Sequence, residues 1–230
     1  MTKVDLTPAF LIHRRAYKDS SLLLDFLTKE HGKIRLIAKG IRKSKTNIQM
    51  FQCLNISFVG KGELKTLTNW EVDDVPRHLK SEALILSMYV NELISRLLQE
   101  QDPHVELFEI YKKFVNQVGS LKQDSRHWLL RMFENNLLAE LGYAVDFVVD
   151  VNGNEISQNS SYEYQQQAGF SQSSTGKISG KLLHQLSAGD VENRPNLEQL
   201  KACRDLNRQR LNPLLGNKPL KSRSLFFTKQ

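Results

Sequence analysis

Asp73 and Asp74 stand side by side, and Asp146 and Asp150 punctuate an otherwise apolar stretch. Carboxylates can hold a divalent ion for phosphodiester hydrolysis, but only where they converge on one point. Neighbours on a strand or loop point apart, and the other two are isolated. A metal-dependent nuclease using Asp73, Asp74 or Asp146 therefore stands only as an alternative. The six histidines show no HxxxH or HxH spacing; His31 falls in a turn and His104 beside Pro103. Two cysteines, Cys53 and Cys203, are too few for a disulfide framework or a four-cysteine zinc site. No serine or cysteine nucleophile stands with a recognisable base. GKGELKT lacks the GxxxxGK[ST] spacing of a phosphate loop, and a strand follows its glycines where a helix is needed. The residues point to a protein that is not an enzyme and holds neither metal nor cofactor.

The remaining chemistry is charge. KIRLIAKGIRKSKTN, residues 33–47, carries six basic side chains and no acid. Its first half alternates Ile34, Leu36 and Ala38 with Lys33, Arg35 and Lys39, as a half-buried strand does. Its second half loses the alternation and keeps the charge. Lys39, Arg42, Lys43 and Lys45 are candidate phosphate contacts, joined by Arg14, Arg15, Lys18, Arg35 and Lys65, with Lys61 in the same region. The formal net charge of +7 is segregated: residues 1–80 hold 15 Lys+Arg and 8 Asp+Glu, residues 81–195 hold 9 and 15, and residues 196–230 hold 8 and 2. Basic ends around an acidic middle suit a polyanion partner, most often nucleic acid. Tyr17 and Trp70 are candidate base stackers; Phe10, Phe26, Phe51 and Phe58 read as core. Few aromatics imply binding that is driven by charge and tolerant of sequence.

These residues need a scaffold. Strands are expected at Ala9–Tyr17, Ser21–Thr28, from Lys33, at Leu54–Val59 and at Leu64–Trp70, with Gly60-Lys61-Gly62-Glu63 as a hairpin. Five short strands suit the five-stranded OB barrel, which binds single strands across a strand face and adjoining loops. From residue 81 the period becomes helical. Ala83, Leu86, Val90, Leu93 and Leu97 form one stripe; Phe108, Tyr111, Val115 and Val118 a second, ended by Gly119. Ser125 can cap a third helix with Leu130, Phe133, Leu137 and Leu141 inward. Val145–Val151 is strand-like and opens a hairpin, about 145–177, with a mobile polar tip. Ser179 starts a further helix, with Ile178 and Leu183 as a hydrophobic staple. Leu197–Leu211 is the last long helix, ended by Asn212-Pro213. In the tail, Leu214, Leu215 and Leu220 should pack back, leaving Lys218, Lys221 and Arg223 to extend the DNA surface. The fold class is α+β: an OB domain over 1–78, then a mainly helical domain over 79–230 with the small hairpin inserted. No segment has the roughly 20 apolar residues of a membrane helix. MTKVDLTPAF has no apolar signal core, so a cytoplasmic, nucleoid-associated chain without membrane contact is expected.

Arg126, His127, Trp128 and Arg131 sit within two turns of the third helix. Such a face can hold an acidic peptide, arginine on carboxylates and an apolar wall beside them. Taken alone, the residues more readily describe an ordinary helix with a solvated arginine and a core tryptophan.

AFLIHRRAYKDSSLLLDFLTKEHGKIRLIAKGIRKSK resembles the start of the RecO family of bacterial recombination mediators. GELKTL, YVNELISRLL, RMFENNLLAELGY and LNPLLGNKPLKSRSLF follow in the family's order. The resemblance implies an OB domain joined to a helical one, without nucleotide chemistry. It implies binding to single-stranded DNA and annealing of complementary strands; double-stranded DNA is a further candidate partner, its affinity relative to single strands left open. With RecR, such a protein helps load RecA onto strands coated by the single-stranded DNA-binding protein SSB. Many relatives carry a four-cysteine zinc ribbon; Phe147–Phe170 here contains no cysteine, which places the chain with metal-free members. The resemblance also implies a site for the acidic SSB tail on the third helix, where Arg131 matches a basic position of the family's motif; helical spacing from Ser125 is expected to turn Arg131 outward, with Trp128 and Arg126 or His127 one turn away as apolar wall and second charge. An RNA-binding OB protein or RNA chaperone is the alternative of the same class, separable because only RNA offers a 2′-OH.

Overall fold

Alternation in the first 72 residues gives five strands: β1 (Thr2–Tyr17), β2 (Ser21–Thr28), β3 (Gly32–Ala38), β4 (Cys53–Gly60) and β5 (Leu64–Val72). In this computed structural model, which describes residues 2–43 and 48–225, they form a closed barrel in the order β1-β2-β3-β5-β4. Neighbours are antiparallel except β3 and β5, which run parallel through Arg35–Ile37 and Leu64–Thr66. This is the OB arrangement. Leu11, Leu24, Phe26, Leu36, Ile56 and Phe58 fill its interior. β1 is long because it pairs first with β4 and then with β2, and register shifts at Val4/Thr7 and Leu11/His13 bend it between the two.

Two helices pack with the barrel. In α1 (Ser81–Leu97) Ala83, Leu86, Val90 and Leu93 are buried; in α2 (Val105–Gln117) Phe108, Tyr111 and Val115 are. Phe10 leaves the barrel interior to meet them, with ring centroids 5.3 Å from Phe108 and 5.0 Å from Tyr111. The Tyr111 hydroxyl donates to Asn91 Oδ1 at 2.7 Å, and Asn91 Nδ2 donates to the Ile12 carbonyl at 3.1 Å. Gly32 (φ 63°) lets the β2–β3 turn reach the segment after α1: a Cβ there would lie 2.0 Å from the Asp102 carbonyl oxygen. Lys33 is buried, not solvated as its strand position suggested. Its Nζ donates to the Ser95 and Leu98 carbonyls at 2.8 and 2.5 Å, where α1 ends. Burial pushes its ammonium below the usual lysine range, and the last helical carbonyls hold the cation there.

The chain divides by packing into Met1–Gly119 with Pro219–Gln230, and Ser120–Lys218. The barrel, α1, α2 and the short C-terminal α6 (Lys221–Ser224) thus share the first unit. Glu92 of α1 holds α6: Oε1 accepts from the Lys221 amide at 2.9 Å, and Oε2 from the Ser222 amide and hydroxyl at 2.8 and 2.6 Å. Leu220 beside them is buried.

The second unit contains α3 (Gln123–Glu140), a sheet ordered β7-β6-β8, α4 (Gly180–Ala188) and α5 (Leu197–Leu215). Its strands are β6 (Ser161–Gln165), β7 (Gly169–Gln172) and β8 (Ile178–Ser179). Trp128, Ile156, Tyr162, Phe170, Leu182 and Leu200 lie at its core. The helix-four signals hold: Ser179 accepts from the Leu182 amide at 3.2 Å, and Ile178 and Leu183 are buried. Asn196 and Gln199 close a capping box on α5.

Four local expectations are corrected. Val145–Val151 is not a strand; only Val149 bridges to Glu155, because Asp146 and Asp150 turn back to accept from backbone amides at Val148, Asn152 and Asn154. The α3 cap is Lys122, without a side-chain bond, so Ser125 lies inside the helix. α5 runs on through Pro213 to Leu215; the proline gives up its own bond to the carbonyl four residues back, and the helix ends two residues later. Leu214 and Leu215 are accordingly half-buried ends of that helix, not a returning tail. Among the described residues no helix is long and apolar enough to cross a membrane. Both cysteines are buried. Burial raises the thiol of Cys53 and pushes that of Cys203 up to about 12.

Candidate nucleic-acid interface

The β1–β2 hairpin, the end of β3 and the segment after it meet at one end of the barrel. Arg14 and Arg15 are exposed on β1, opposite Leu24 and Leu23 of β2. Lys18 (φ 52°) opens the turn to Ser21. β3 stops at Ala38, and Gly40 (φ 71°) redirects the chain into a single 3-10 turn, Ile41–Lys43. Ile41 is buried in the barrel core and anchors that turn. Arg42 ties it to the hairpin: its amide donates to the Ser20 carbonyl at 3.1 Å, and its Nη1 to the Lys18 and Asp19 carbonyls at 3.2 Å each. Lys39, Arg42 and Lys43 remain exposed. Lys45 lies outside the described residues. One end of the barrel thus joins Arg14, Arg15, Lys18, Lys39, Arg42 and Lys43.

The two aromatic candidates differ. Tyr17 is half-buried, with the Lys18 ammonium 5.5 Å from its ring centroid, a cation–π contact that shields one face. Trp70 is half-buried, opposite Ile56 of β4, and packs on the barrel core.

Two candidate cations are engaged within the protein, Arg35 by carboxylates and Lys65 by neutral oxygens. Arg35 donates to both oxygens of Asp25, at 2.6 and 3.2 Å, and lies 3.4 Å from Glu100. That bond to Asp25 raises the guanidinium above its usual range against the opposing effect of burial. His13 approaches the same carboxylate at 3.6 Å. Lys65 is only 6% exposed, and its Nζ donates to the Gly62 carbonyl at 2.8 Å and to Gln101 Oε1 at 2.6 Å. Both strand positions are outward by alternation, but the segment after α1 covers them. Lys61 is exposed in the β4–β5 hairpin, at the opposite end of the barrel from Lys39. In the tail, exposed Lys218 closes the second unit, while exposed Lys221 and half-buried Arg223 belong to the first.

The third-helix constellation is corrected more sharply. Arg131 does not face outward. It is 8% exposed and pairs through Nη1 with Glu134 Oε2 at 2.9 Å. Asn207 of α5 donates to the same oxygen at 2.9 Å and to the Arg131 carbonyl at 3.1 Å. Arg210 donates to Asn135 Oδ1 at 2.6 Å and to the Tyr143 carbonyl at 2.9 Å, and burial lowers its guanidinium. Every residue from Trp128 to Asn135 is buried, so α3 has no open face along that stretch. Trp128 is fully buried, its Nε1 donating to the Asp190 carbonyl at 2.8 Å. Arg126 is half-buried.

Three of the carboxylates named for metal chemistry are engaged by groups of their own unit. Asp74 pairs with Arg77 and accepts from the Val75 amide; Asp146 and Asp150 accept from backbone amides in the other unit. Among the described residues no three His, Cys, Asp or Glu side chains gather as metal ligands.

A family profile described as "Recombination protein O N terminal" matches residues 1–75, and one described as "Recombination protein O C terminal" matches residues 78–224. The chain is 36% identical over 222 residues to a protein of Actinobacillus pleuropneumoniae serotype 7 named "DNA repair protein RecO", covering 94% of this chain and 92% of that one. It is 37% identical to proteins of the same name from Enterobacter sp. strain 638 (95% of this chain, 94% of that one) and Coxiella burnetii (99% and 100%).

Proposed function

Because the chain belongs to the RecO family of DNA repair proteins, we propose that it binds single-stranded DNA at the basic end of its barrel, anneals complementary strands and, with RecR, helps load RecA onto SSB-coated DNA. One observation carries the location: Arg42 locks the 3-10 turn to the β1–β2 hairpin, so cations distant in sequence form one surface. Asp19 is the only carboxylate in residues 14–20 and 39–43. Such a surface lowers the repulsion between two phosphate backbones, and contacts that ignore the bases leave them free to pair. The acidic SSB tail remains a partner in this reading, with half-buried Arg126 as the cation of the third-helix set that meets it.

The test uses Lys39→Glu with Lys43→Glu, which spares the Arg42 hydrogen bonds. Binding to single strands should weaken, and the log–log salt slope should fall by about 0.7 for each phosphate that the protein no longer neutralises. Annealing of SSB-coated strands should fall with it. Unchanged affinity and slope would remove the barrel end from the DNA path.

A further inference from the structure

The second unit contains a groove of about 940 Å³ between the small sheet and α5. One wall is helical. Glu198, Ala202, Asp205 and Gln209 recur at four, three and four residues, one stripe of α5 turned to the groove. Ala202 at its centre leaves the width that a larger side chain would close. The other wall is a strand edge. β6 pairs with β7 from Tyr162 to Gln165, but β8 covers only Ser161 and Tyr162 on the other side. Among the described residues, Glu163, Tyr164 and Gln165 have no strand partner along that edge. The floor is apolar, with Leu182 and Leu206 buried beneath.

We propose that this groove docks an extended, basic segment of a protein partner, added as a strand to the free edge of β6. An unpaired edge offers backbone donors and acceptors at strand spacing, which another extended backbone satisfies. The facing helix stripe supplies contacts for alternate side chains. Charge selects the occupant: Glu163, Glu198 and Asp205 line the groove against one cation, Lys177. Asp205 shares its charge with Arg204 at 2.9 Å, but both groups are solvated, so that pair screens it weakly. Glu163 accepts from the Ser173 and Thr175 hydroxyls, which hold its carboxylate in place. These carboxylates repel phosphates, so the groove holds a protein segment while DNA occupies the cationic barrel end. The two sites carry opposite charge on separate units.

The test is fluorescence anisotropy with the full chain at low salt. The probe is a labelled, end-blocked octapeptide of alternating lysine and valine. Two controls replace lysine by glutamate, or alternate valines by proline, which cannot donate to a strand edge. The lysine peptide should bind, and both controls should bind at least about tenfold more weakly, the scale of a missing charge pair or of an unmade ladder. Glu198→Lys with Asp205→Lys should reduce binding comparably, and Ala202→Trp should block the groove; both should leave single-strand DNA binding intact. Absence of lysine-peptide binding, equal binding of the proline control, or indifference to Ala202→Trp would each overturn the proposal. So would self-association of the chain that Ala202→Trp abolishes, since the occupant would then be a second copy.

Discussion

Removing the guanidinium of Arg131 would take away the cation that lies 2.9 Å from Glu134, whose side chain is 1% exposed. Breaking one side of a buried pair typically costs about 3–5 kcal/mol, because the remaining charge stays desolvated. Arg131→Ala should therefore lower the urea midpoint strongly, and Arg131→Met with Glu134→Leu should recover most of the stability. An unchanged midpoint in Arg131→Ala would mean that the pair is solvated. Such a variant therefore cannot report on partner binding until its folding is measured. Arg126→Ala tests the contact itself: with its melting temperature measured first, it should weaken SSB-tail binding by about tenfold, as removal of one charged hydrogen bond does. Equal affinity of Arg126→Ala for a tail peptide would remove the first turn of α3 from that contact.

At the scale of elements, Glu92 couples α1 to the C-terminal segment. Burial pushes its carboxyl up, but the bonds from Ser222 and Lys221 outweigh that and hold it below the ordinary 4.5. The anion is thus favoured in the folded state. Its stabilising effect is complete above pH 4.5 and is lost as pH falls through the lower folded value. Hydrogen-exchange protection at the Lys221 and Ser222 amides should drop in that acid window. Glu92→Ala should reproduce the drop at pH 7. Protection that survives the substitution would mean that Leu220 alone anchors α6. The strands and helix stripes that frame this contact were legible in the sequence, because period two and period 3.6 report which face is buried. The contact itself was not. No pattern in NELISRLL announces which solvent-side acid will meet a helix start some 130 residues later. Lys33, Arg35 and Lys65 misled for a related reason: alternation assigns a side of the barrel wall, and cannot say that another segment covers that side. Arg131 misled because α3 is wrapped on all faces from Trp128 to Asn135, so the polar residues there pair with one another and with α5 instead of meeting water.

For the whole molecule, charge divides with the packing. Residues 120–218 hold eleven basic and eleven acidic side chains, so the formal +7 of the chain resides in the barrel's unit. The basic–acidic–basic profile of the sequence blurred this, because the last long helix is basic in composition yet belongs to a neutral unit. In that second unit, Ile156, Tyr162, Phe170 and Ile178 form an apolar core under the small sheet. Burial of these side chains supplies stabilisation that a small metal-held sheet draws from its ion. Chelator treatment should leave the melting temperature unchanged, and elemental analysis should find no stoichiometric zinc; one zinc per chain would mean ligands other than the residues considered.

The burial of Cys53 and Cys203 has a practical corollary for spectroscopy. Alkylating reagents attack the thiolate, and a thiol at about 12 leaves roughly one part in 10⁵ ionised at pH 7. Cys53, 1% exposed with its thiol also raised, is shielded as well. The native chain is therefore a silent background for maleimide dyes. With both wild-type cysteines in place, a single Lys39→Cys can carry a fluorophore that reports strand pairing at the barrel, and a single Gln209→Cys one that reports peptide capture at the groove.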